Sequence, residues 1–238
     1  MTETLAALLL AHVAADFLLQ PDRMVANKRK PLWFAAHIAI VLATAIAATG
    51  SLHPALLALA AAHAAIDAAK LASRRSDATA FTLDQAAHLA SIAATALLAP
   101  TLFSTGLWGA QSQLPVLFAL AAGALWTIRA GGHAIGHLMQ PWADEITLDG
   151  LTNGGRVIGQ LERGLIFLMV LGGLPEGIGF LIAAKSVLRF GTVREESRLS
   201  EYVIIGTLAS FGWALVSAWA TLALITTLPP LGIPAFPP

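Results

Sequence analysis

Eight predominantly apolar stretches, at about residues 4–20, 31–50, 54–73, 82–101, 114–138, 157–173, 175–190 and 203–227, most limit what this chain can become. A bilayer core about 30 Å thick is crossed by roughly 20 apolar residues, with about 17 tolerated. Within it a spanning segment satisfies its own backbone amides by coiling into a helix. Pro31, Pro54, Pro115 and Pro175 fall at or near the starts of four stretches, where a missing N–H costs little. The stretches predict an all-α, polytopic membrane protein of about eight transmembrane helices. The sixth and seventh are short and joined by Gly172-Gly173-Leu174-Pro175. They read as a tight hairpin, a re-entrant pair or one broken helix, and six crossings is the alternative count.

Composition agrees with that class. The chain of 238 residues is 57% hydrophobic and 12% charged, with a mean hydropathy of +0.73. Soluble domains carry about 25% charged residues. Lys plus Arg and Asp plus Glu stand at 14 each, so net charge offers nothing to nucleic acid. Without cysteine there is no disulfide, thiolate metal site or cysteine nucleophile. The first stretch lacks the basic flank and small-residue cleavage site of a removable leader, so it is expected to remain in the mature protein. Basic residues cluster at Arg23, Lys28, Arg29, Lys30, Arg74, Arg75, Arg156, Arg189, Arg194 and Arg198, whereas 50–53 and 101–113 carry none. The positive-inside rule then turns the basic loops to the cytoplasm and both termini outward.

Ionisable residues inside apolar stretches are costly and point to function. His12 and Asp16 stand four apart in the first stretch, on one face of a helix. The pair returns 51 positions later as His63 and Asp67, and His37 has His88 at the same offset. The register predicts a tandem repeat of two helical hairpins, forming a four-helix module over 1–101 with a C-terminal helical module over 102–238. At 1.5 Å per residue from the cytoplasmic helix ends, Asp16, His37, Asp67 and His88 fall roughly 7–10 Å deep and His12 and His63 about 13–15 Å. Asp84 is shallower, near about 3 Å. Helices running in opposite directions do not match in depth by spacing alone, so a cluster is expected.

Imidazole with carboxylate is the ligand set of zinc, and also of iron or manganese. His12, Asp16, His37, His63, Asp67 and His88 are therefore the candidate ligands of a divalent metal, zinc first. Asp84, whose counterpart in the repeat is Trp33, is the asymmetric element and the candidate catalytic base. The bland alternative is His–Asp pairs that only tie helices together. His133 and His137 form another pair four apart outside the repeat, and His53 sits in an outer loop. Glu162 and Arg163 stand inside the sixth stretch, either as a cradle for an anionic head group or as snorkelling charges paired with Glu195, Glu196 and Glu201. No phosphate loop, nucleotide fingerprint, serine elbow or His-Glu-x-x-His sequence appears.

The order His12-x-x-x-Asp16-Phe17-x-Leu19-Gln20, His37, His63-x-x-x-Asp67, Asp84-Gln85-x-x-His88 resembles the bacterial inner-membrane family called domain of unknown function 3307. The resemblance covers about residues 4–100. Gly159-x-Leu161-Glu162-Arg163 and the run from Lys185 to Gly206 resemble the C-terminal part of its longer members. It implies a multi-span protein of the bacterial inner membrane and assigns no activity. Membrane hydrolases such as the alkaline ceramidases and adiponectin receptors also gather His and Asp around zinc, an analogy in chemistry only. The sequence thus points to a metal-dependent hydrolase of a lipid or amphipathic substrate in the bilayer. A proton-coupled carrier and a non-catalytic subunit with a polar core are the alternatives.

Overall fold

The computed structural model describes residues 1–145, 151–189 and 197–231. Among them the secondary structure is helical, with no strand. The elements are α1 (Thr2–Phe17), a short α2 (Asp22–Asn27), α3 (Pro31–Thr49), α4 (Ala55–Ser73), α5 (Ala78–Leu98), α6 (Leu114–Leu125), α7 (Gly131–Met139), α8 (Gly154–Leu171), α9 (Glu176–Arg189) and α10 (Ser197–Ile225). A π turn, Trp126–Ala130, joins α6 to α7, and a 3₁₀ stretch, Gln140–Glu145, follows α7. These helices match the eight apolar stretches to within a few residues. By length and apolarity, Pro31–Thr49, Ala55–Ser73, Leu114–Asp144 and Arg198–Ile225 qualify as membrane crossings among the described residues.

Local chemistry sets the helix ends. Pro31 opens α3, where a missing N–H is harmless. Gly50 closes it in the left-handed region at φ 61°, its N–H reaching Ile46 O at 2.8 Å. The exposed His53 caps α4, its Nδ1 accepting the Ala55 N–H at 3.1 Å. Asp77 Oδ1 accepts the Ala80 N–H at 2.8 Å where α5 begins.

The described residues gather into two compact units. One comprises Met1–Arg75, Thr82–Leu125 and the chain from Thr221 on; the other comprises Ser76–Phe81 and Trp126–Ala220. In the first, α1 packs on α3 and α6, and α3 packs on α4. Ala6, Ala7, Ala11 and Ala15 of α1 are buried, and such small residues let neighbouring helices close. One core joins Leu8 of α1, Ala45 of α3, Leu59 of α4 and Ile92 of α5 with Leu102 and Phe103 of the following loop. That loop folds back over the bundle: Leu107 N donates to Gly50 O at 2.9 Å and Trp108 Nε1 to Ala47 O at 2.8 Å. Phe103 is buried beneath it, and its N–H donates to Thr4 Oγ1 at 3.3 Å.

In the second unit α8 and α9 form a tight helical hairpin. Gly173 turns the chain at φ 69°, and Leu174 N donates to Met169 O at 2.8 Å. Arg163 of α8 is 3% exposed and does not reach out to solvent as a snorkelling cation would. Its Nη2 donates to Ile128 O in the π turn at 2.9 Å, and its Nη1 to Ser210 Oγ at 3.0 Å. A π turn displaces the α-helical amide partners of its carbonyls, which is why one of them is open to a guanidinium. Glu162 pairs with Lys185 at 2.8 Å. Glu195 and Glu196, expected partners of these charges, lie outside the described residues.

Candidate metal centre

The helical period places His12 and Asp16 on one face of α1, His63 and Asp67 on one face of α4, and Asp84 and His88 on one face of α5. With His37 of α3, these seven side chains converge inside the first unit. His12, His37, His63, Asp67, Asp84 and His88 are buried, and the Asp16 side chain is 9% exposed.

The innermost contact joins two imidazoles, His37 Nε2 and His63 Nε2, at 3.1 Å. Asp16 Oδ1 lies 3.4 Å from His37 Nε2 and 3.5 Å from His63 Nε2. Asp67 Oδ2 lies 3.4 Å and 3.5 Å from the same two nitrogens. Donor atoms around a tetrahedral zinc at 2.0–2.1 Å are separated by about 3.3–3.4 Å. Each carboxylate thus completes, with the two imidazoles, a triangle of the size that one metal ion spans. Asp67 Oδ2 also has Lys28 Nζ at 2.7 Å, close by distance but outside hydrogen-bond alignment.

Three residues outside the predicted ligand set, Lys28, Lys70 and Gln85, also belong to the cluster. Lys70 Nζ lies 2.6 Å from Asp84 Oδ2. Gln85 Nε2 donates to the same oxygen at 3.1 Å, which turns Gln85 Oε1 toward His12 Nε2 at 3.2 Å. A carbonyl oxygen only accepts, so His12 carries its proton on Nε2 and presents Nδ1 as a lone pair. Helical spacing could have found two of them. Lys70 follows Asp67 by three positions and Gln85 precedes His88 by three, so each shares a face with a predicted ligand.

Two observations show that this cluster is incomplete as a set of mutually satisfied pairs. First, His12 Nδ1, Asp16 Oδ1, His37 Nδ1, Asp84 Oδ1 and both nitrogens of His88 are buried without hydrogen-bond partners. Buried polar atoms in proteins are nearly always paired. Second, two lysines face three carboxylates, so with neutral imidazoles one negative charge is left over. It sits at Asp16, whose nearest cluster neighbours are imidazoles: His37, His63 and, at 3.8 Å, His12 Nδ1.

Three sets of ligand atoms lie close enough to hold an ion: Asp16, His37 and His63; Asp67, Asp84 and His88; and His12, His63 and His88, with all atoms of each set within 4.8 Å. The third set borders a cavity of about 10 Å³, otherwise walled by residues such as Leu8, Leu59 and Ile92. That is room for about one water. His133 and His137 sit on α7 in the second unit, where the His137 ring lies 5.5 Å from that of Phe81. All seven predicted site residues are thus brought together, with Asp84 ion-paired rather than free.

Residues 4–112 match the family described as protein of unknown function DUF3307. No curated protein and no solved structure matches the chain.

Proposed function

We propose that the part of this chain that matches DUF3307 is an intramembrane metal-binding module whose first seat is Asp16, His37 and His63, and that it serves a metal-dependent hydrolase. The observation that carries this reading is the Asp16–His37–His63 triangle, with edges of 3.1–3.5 Å around the one carboxylate that has no lysine. Zinc suits those edges and this nitrogen and oxygen donor set, with iron or manganese as alternatives. The metal would lower the pKa of a bound water and polarise a substrate carbonyl. His12 lines the water-sized cavity, and Gln85 accepts its Nε2 proton and so leaves Nδ1 as a lone pair, the tautomer a general base requires. Asp84 acts through Gln85 and fixes the tautomer of His12.

Two of the three helices that supply the seat, α3 and α4, are long and apolar enough to cross a membrane, so the substrate is a lipid or amphipathic ester or amide that dwells in the bilayer. Eight crossings in a bacterial inner membrane, with the loops of Arg23–Lys30 and Arg74–Arg75 on the cytoplasmic side, complete the proposal. The decisive experiment is metal analysis of detergent-purified protein beside Asp16→Asn and His37→Ala. Near-stoichiometric metal in the wild type, lost in both variants, supports the module and justifies an ester and amide hydrolysis screen. Folded wild type without metal removes it.

The leftover negative charge favours a second reading, because one proton on an imidazole cancels it whereas a divalent ion leaves one positive charge in excess. A proton-coupled carrier would use the same cluster. It predicts a metal-free protein whose flux in vesicles follows the proton gradient.

A further inference from the structure

The first seat leaves half of the cluster unexplained. Asp67 is placed between two groups: its Oδ2 faces His37 and His63, while its Oδ1 faces His88 Nε2 at 3.9 Å. His88 Nε2 in turn lies 3.6 Å from Asp84 Oδ1. Both of these atoms are buried without a hydrogen-bond partner, on side chains 1% and 4% exposed. Paired His and Asp side chains that existed only to satisfy each other would not leave the facing nitrogen and oxygen both unbonded. A carboxylate with one oxygen toward each of two ligand sets is the geometry of a bridge between two metals, which such sites hold about 3.5–4 Å apart.

Charge says what stands in the way. With both lysines in place, two divalent cations would leave three positive charges in excess over the three carboxylates. Withdrawing the Lys70 ammonium alone lowers the excess to two. Lys70 is built to withdraw: its side chain is 36% exposed while its partner Asp84 is 4% exposed, so the ammonium reaches in from outside. An intruding cation needs only to swing that flexible stem back toward the α4 end.

We infer that Asp67, Asp84 and His88 form a second divalent-cation seat, bridged to the first through Asp67 and held in the absence of the ion by the ammonium of Lys70. The inference rests on the first seat being a metal site. Filling the second seat displaces Lys70 from Asp84, so this lysine sets the affinity of the second ion and leaves the first nearly untouched. Two ions would hold one substrate oxygen each, which suits hydrolysis of a phosphate ester as well as a carboxylic ester.

The test is a zinc titration of the metal-free, full-length protein in detergent, with bound metal counted at defined free zinc. Wild type should bind two equivalents in separable steps. Asp84→Asn, close in shape to the native side chain, should keep the first step and lose the second. His88→Ala should do the same, and retention of the first step reports that the variant is folded. Lys70→Met should tighten the second step at least tenfold without moving the first, because it removes a competing charge in contact with the seat. Saturation of both wild type and Lys70→Met at one equivalent overturns the second seat and leaves the first standing. No bound zinc in folded wild type overturns both.

Discussion

Replacing Lys28 by Met separates a structural ion pair from a metal site, because only a metal site makes the loss of stability depend on zinc. Lys28 Nζ stands 2.7 Å from Asp67 Oδ2, and the two side chains are 13% and 5% exposed. Breaking a buried pair by removing one partner costs about 3–5 kcal/mol, because an uncompensated charge stays behind. The hydrated edge of Lys28 and the two imidazoles beside Asp67 lower that to about 2–4 kcal/mol. For a chain of this length each kcal/mol shifts the midpoint by about 2–4 °C, so Lys28→Met without metal should melt roughly 5–15 °C lower. With zinc bound, the ion takes over the compensation of Asp67, and the loss should shrink to under about 1 kcal/mol. Thermal unfolding in detergent, with chelator and with excess zinc, reads both values. Adding Asp67→Asn to Lys28→Met should restore most of the metal-free stability. An equal loss with and without zinc would refute the reasoning, since Asp67 would then face no metal.

Three further outcomes follow from the geometry. Asp16→Asn should abolish metal retention while leaving metal-free stability unchanged or higher, as measured by metal content and melting midpoint, because it removes the one carboxylate without a lysine. Gly50→Ala should cost about 1–3 kcal/mol in a denaturation series, since φ is 61° and the added Cβ would stand 2.8 Å from Leu107 N. Arg163→Lys should lose about 1–3 kcal/mol by the same assay, because one ammonium cannot replace a planar fork that reaches both Ile128 O and Ser210 Oγ.

The helices were legible because apolar runs in a bilayer have one economical solution, and Pro31 and Gly50 mark the ends of α3 in the sequence itself. The convergence of His12, Asp16, His37, His63, Asp67, Asp84 and His88 was legible too. Residues four apart share a face, and polar faces in apolar helices turn inward together. Lys28 and Lys70 were not legible as members of the site, because a lysine at a helix end satisfies the rule for loop charge whether or not it reaches back to a carboxylate. Which carboxylate keeps a lysine is decided by neighbours distant in sequence: Lys70 meets Asp84 across two helices, and Lys28 meets Asp67 from the loop after α2. Arg163 misled for a related reason. A cation near a helix end is expected to snorkel, and only the π turn at Trp126–Ala130 creates the open carbonyl that holds it inside.

The most direct test of the central claim is zinc K-edge X-ray absorption on full-length protein loaded with one equivalent of zinc. The account expects nitrogen and oxygen donors at about 2.0 Å, with the outer-shell scattering of two imidazoles, and loss of one imidazole in His37→Ala. A spectrum of oxygen donors alone, unchanged by His37→Ala, would place the metal elsewhere and contradict the account.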